Sequence, residues 1–79
     1  MGESAHYRER NERLALDWNA RHPVGIDVSI LTDAGGTIQT RTITMAWVSR
    51  NFGAVVQVEG VRGLVHLARI TAIDEAALA

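Results

Sequence analysis

Two spacings of apolar residues divide this chain at Pro23. Ahead of it, Tyr7, Leu14, Ala15 and Trp18 recur at helical intervals, while Arg8, Glu9, Glu12 and Arg13 lie mostly elsewhere around the axis. Ser4 suits an N-cap and neither Gly nor Pro interrupts residues 5–21, so the pattern predicts a helix over 4–21. Glu9 and Arg13 stand in the favourable i,i+4 order for an ion pair along it. Pro23 ends the helix, because the residue before a proline is pushed out of the α region. A helix of this length is marginal alone in water, so its apolar stripe must dock on the rest of the chain.

Beyond Pro23 the period falls to two. Val24, Ile26, Val28 and Ile30 alternate with Gly25, Asp27 and Ser29, as in a half-buried strand. Asp33-Ala34-Gly35-Gly36 reads as a turn, and the β-branched run 37–44 as the returning strand of a hairpin. Residues 45–53, with Trp47, Val48 and Phe52, are expected to be irregular or a short helical turn. Further strands are predicted at 54–59, 64–67 and 70–73, with a tight turn at Gly60-Val61-Arg62-Gly63 and a brief break near Ala68 or Arg69. The alanine-rich segment 74–79 reads as a frayed tail.

Five short strands within so few residues do not stay flat with both edges bare; they curl. The ending Leu64-Val65-His66-Leu67-Ala68-Arg69-Ile70, a strand, a break and a short closing strand, resembles the C-terminal part of SH3-like barrels. The expected fold is therefore mainly β with one N-terminal α-helix: a single domain over 1–79, its helix at 4–21 laid on a small SH3-like five-stranded antiparallel barrel at 24–73. Fold analogy of this kind licenses no function.

Composition narrows the partners. With 79 residues and no cysteine, the core is thin and neither a disulfide nor a thiolate metal site reinforces it. Bare strand edges and a thin core together make a homodimer the expected self-association. The formal charge of −1 gives no global attraction to nucleic acid. All eight basic residues are Arg, which is read as a GC-rich coding bias. No stretch approaches the roughly 20 apolar residues of a membrane span, and the first ten residues are too polar for the core of a secretory signal. No membrane partner is expected, and the cytoplasm is the expected location.

Catalytic groups are scarce. His6, His22 and His66 come from the helix start, the helix exit and a late strand, without metal-ligand spacing. His66 reads as a structural or surface residue. Ser29 and Ser49 have no neighbouring His to activate them, and Gly35-Gly36 is followed by a strand where a phosphate loop needs a helix. No cofactor, no metal and no enzymatic activity are expected. Plasmid-type dihydrofolate reductases offer an enzyme precedent at this size, but their Val-Gln-Ile-Tyr hallmark is replaced here by Leu64-Val65-His66-Leu67. A small oligomeric enzyme stands as the remote alternative.

The aromatic residues carry the remaining signal. Trp18, on the helix stripe, is expected in the core. Trp47, Arg50 and Phe52 share one segment, a combination that concentrates at binding hot spots, and Arg62 in the later turn joins them as a candidate contact. A small barrel also needs bulky core residues, so the expectation is that Trp47 and Phe52 fold inward. The basic residues Arg41, Arg50, Arg62 and Arg69 tilt the strand region only mildly positive, which keeps nucleic-acid binding as the second reading.

Taken in order, Trp18-Asn19-Ala20-Arg21-His22-Pro23-Val24-Gly25, Ala46-Trp47, Val58-Glu59-Gly60-Val61-Arg62-Gly63 and Leu67-Ala68-Arg69-Ile70 resemble small uncharacterised proteins encoded by phages and prophages of GC-rich Gram-negative bacteria. That resemblance spans residues 18–73 and brings no catalytic residues with it. It implies an accessory gene product in the host cytoplasm that binds a host or phage protein, including inhibitors of host defence.

Overall fold

A computed structural model describes residues 2–73 of the chain, with side chains from residue 6 onward. The tail expected at 74–79 lies outside the described residues. Helix α1 spans Gly2–Arg21 and is followed by six short strands: β1 Asp27–Leu31, β2 Thr37–Arg41, β3 Trp47–Ser49, β4 Gly53–Val56, β5 Val65–His66 and β6 Ile70–Ala72. A 3-10 turn, Leu67–Arg69, separates the last two. Ser4 therefore lies inside the helix and does not cap it. Among the described residues the ion pair along α1 is not Glu9–Arg13 but Asp17–Arg21, at 3.0 Å.

The strands form two antiparallel sheets, ordered β2-β1-β6 and β3-β4-β5. The expected hairpin is present: β1 and β2 pair from Asp27 opposite Arg41 to Leu31 opposite Thr37. Its turn is closed by Thr32 N donating to Gly36 O at 2.9 Å and Gly35 N to Thr32 O at 3.0 Å, with Gly35 at positive φ. Val28 and Ile30 face the core as the alternation requires, but Val24 is exposed, since Val24-Gly25 form a turn ahead of the strand.

A closed five-stranded barrel is not what forms. The strand expected over 37–44 continues past a break as β3, and the break falls where Thr44 Oγ1 accepts the Gln57 amide at 3.1 Å in place of a ladder bond. Within the segment 45–53, expected to be irregular or a short helical turn, Trp47–Ser49 form β3 and Gly53 begins β4, with 50–52 as the turn between them. Thr42 bridges Val58, Glu59 N donates to Arg41 O and Ile43 N to Gln57 O, so the two sheets meet along this corner. Between β5 and β6 the expected break appears as the 3-10 turn, capped by His66 Nδ1, which accepts the Ala68 amide at 3.1 Å. No ladder joins those two strands.

Helix α1 lies against β3 and β4. Its buried face is Asn11, Ala15, Trp18 and, just past its end, His22, while Tyr7 and Leu14, expected on that face, are about half exposed. Trp18 enters the core with Val28, Ile30, Ala54, Val56, Val58, Val65 and Ile70, as expected, and its ring packs on His22 at 4.3 Å between centroids. Two asparagines hold the helix in place. Asn11 Oδ1 accepts the Ala54 amide at 2.8 Å while its Nδ2 donates to Tyr7 O. Asn19 accepts the Ala46 amide at 2.8 Å and donates to Ala46 O at 2.9 Å, supplying a complete hydrogen-bonding rung at the start of β3. Such contacts matter because a buried backbone group without a partner costs about 1–3 kcal/mol.

Candidate binding surface

The outer face of the second sheet is built around one row. Trp47 pairs with Val55, and Val55 with His66, so three side chains line up across β3, β4 and β5 on the same face. The alternate positions, Ala54, Val56 and Val65, point to the core. Val55 in the middle of the row is 1% exposed, whereas Trp47 is 38% exposed. The indole thus keeps a large free surface beside a covered valine.

The β3–β4 turn carries Arg50 and Phe52, and Phe52 is 60% exposed. Both aromatic residues therefore lie outside the core, contrary to the inward packing expected of them. Core volume comes from elsewhere, from Trp18 on the helix and from valines of both sheets. Gly53 follows the turn with φ +77°, a conformation L side chains rarely adopt. A Cβ there would stand 2.7 Å from Asn11 Oδ1 and 2.9 Å from Tyr7 Oη. The close approach seats the half-exposed Tyr7 over the start of β4, next in the chain to Phe52.

Of the four candidate contact residues, the structure brings Trp47, Arg50 and Phe52 together on one hairpin. Arg62 does not join them. It sits in the exposed loop beyond β4, at the opposite end of the sheet from the turn. Arg41, Arg69 and Arg21 are each paired, with Glu59 at 3.5 Å, Asp33 at 2.6 Å and Asp17 at 3.0 Å. Among the described residues neither Arg50 nor Arg62 has a carboxylate partner, so their guanidinium groups are available.

The three histidines lie apart: His6 exposed on the helix, His22 against Trp18, and His66 capping the 3-10 turn. Among the described residues no group of three or more His, Cys, Asp or Glu side chains converges as a metal site, and no helix is long and apolar enough to cross a membrane. The asparagine seam was missed by sequence reasoning, which looked for an apolar stripe. Asn11 and Asn19 are eight positions apart, and that spacing with polar amides was the available signal. No family model, curated protein or solved structure matches the chain.

Proposed function

We propose that this chain is a non-enzymatic protein-binding module whose contact surface is the β3–β4 hairpin. The observation that carries the reading is the exposure of Trp47 and Phe52 on either side of an unpaired Arg50. Large, stiff aromatic residues beside a guanidinium are the groups that dominate binding energy at interfaces, and here both stand outside the core cluster. An SH3-like scaffold is part of the same proposal. Counting 37–49 as a single strand bent at 44–46 gives five strands, and the Thr42–Val58 bridge with the 3-10 turn before β6 supports that arrangement.

The resemblance to phage and prophage proteins supports a host or phage protein as the partner, met in the host cytoplasm, with inhibition of a host defence as the role. Affinity capture from such a host tests the reading. Trp47→Ala and Arg50→Ala should keep the wild-type circular dichroism and thermal midpoint while losing the captured protein. Capture of the same proteins by both variants and by wild type would refute the assigned surface. A nucleic-acid ligand is the second reading, favoured by the free Arg50 next to an exposed indole on which bases stack. A gel shift with single-stranded DNA or RNA that fades steeply with added salt would replace the first reading by this one.

A further inference from the structure

We propose that β2 offers a short open edge to a second copy of this chain, with Ile38 on the two-fold axis of a weak antiparallel dimer. The register of the hairpin shows which backbone groups are free. Thr42 N donates to Ile26 O at 3.1 Å and Thr32 N to Gly36 O at 2.9 Å. Hydrogen-bonded and non-hydrogen-bonded pairs alternate along an antiparallel ladder, so Ile38 and Thr40 aim their amides and carbonyls at β1. Thr37, Gln39 and Arg41 aim theirs outward. The outward carbonyl of Arg41 is taken by Glu59 N at 2.9 Å. Among the described residues the N–H and C=O groups of Thr37 and Gln39 have no partner.

Ile38 stands between these two residues. It lies opposite Ile30, so its side chain is on the face that carries Val28 and Ile30. Ile30 is 6% exposed, yet Ile38 is 44% exposed, an apolar side chain on the core side that is only partly covered. Strand β2 contains no Pro, Lys or bulge, the usual devices that blunt an edge. At β3 the corresponding groups of Ala46 are already met by Asn19.

A second copy fits this edge because the edge is its own complement. With the axis at Ile38, Thr37 of each copy faces Gln39 of the other, and every free donor meets a free acceptor. The two Ile38 side chains meet as a non-hydrogen-bonded pair, the closer kind, with Cα atoms about 4.5 Å apart. Arg41 falls outside this ladder and is bridged to Glu59 of its own chain, so no like charges oppose each other. A longer ladder is blocked, since Glu59 occupies the place beside Arg41. So short an interface falls below the ~1,000 Å² of stable complexes, and the dimer is weak and concentration-dependent. The Trp47 hairpin belongs to the other sheet and stays free in it.

Sedimentation equilibrium from micromolar to near-millimolar concentration tests the dimer, together with amide hydrogen exchange on the wild-type chain. The wild type should show a monomer–dimer equilibrium, with Thr37 and Gln39 amides gaining protection as concentration rises. Gln39→Pro removes an outward N–H, which edge strands tolerate, and Ile38→Arg sets two charges against each other at the axis. Each should raise the dissociation constant about tenfold or more, whereas Trp47→Ala should leave it unchanged. A wild type that stays monomeric throughout, or exchange at Thr37 and Gln39 that ignores concentration, overturns the proposal. So does an undiminished dimer in a folded Ile38→Arg variant.

Discussion

Strands β2 and β4 differ by one residue in length and lie in adjoining sheets, yet β4 is buried at every position and β2 at none. Strand β4 is central, between β3 and β5, with α1 across it and the Trp47–Val55–His66 row on its outer side. Both of its faces are covered, and its sequence Gly-Ala-Val-Val is correspondingly apolar without alternation. Strand β2 is an edge, and even the isoleucine it turns toward the core is open to solvent on one side. Burial here follows a strand's place in the sheet order and the layers laid over it, with side-chain character adapted to both.

The contrast can be broken most severely at Val56, which is fully buried. Val56→Asp places an unpaired charge in the core and should cost at least about 3 kcal/mol, enough to abolish cooperative unfolding in a domain this small. Thr37→Ala on β2, followed by the same chemical denaturation at low protein concentration, should stay within about 0.5 kcal/mol of wild type. An effect between these two is expected at Gly53. Gly53→Ala adds a methyl group against Asn11 and Tyr7 at positive φ and should cost about 1–3 kcal/mol. Part of that loss comes from the clash with Asn11, so combining it with Asn11→Ala should destabilise by less than the sum of the two changes in a double-mutant cycle. Asn19→Ala, which removes the part-buried rung at Ala46, falls between Gly53→Ala and Thr37→Ala. It should lower stability by about 1 kcal/mol, read as a shift in thermal midpoint.

Much of the backbone was legible in the chain. The helix, the hairpin at 27–41 within the expected 24–44, and the break before the last strand all follow from local features: an uninterrupted helical run, paired glycines and a twofold apolar period. The helix face was legible only in part: Ala15 and Trp18 are buried as expected, whereas Tyr7 and Leu14 are about half exposed. Tyr7 and Leu14 were the obvious choices by hydrophobicity, but the sheet presents backbone amides at Ala46 and Ala54, and those call for Asn11 and Asn19. Trp47 and Phe52 could not be placed by local reasoning either. Whether a side chain beside a turn packs inward depends on which face of its strand the helix covers, and that is decided by residues far along the chain. Trp47, Arg50 and Phe52 share one hairpin as their closeness in the chain suggests, whereas Arg62 is parted from them by the run of β4.

The two asparagine contacts join positions 43 and 27 residues apart, Asn11 with Ala54 and Asn19 with Ala46. Directional bonds at two points two turns apart leave the helix no freedom to slide or roll, as a purely greasy contact would allow. Neither partner is complete alone: the hairpin without the helix carries bare amides, and the helix without the hairpin carries an uncovered tryptophan. Docking and sheet formation should therefore be lost together, in a single unfolding transition.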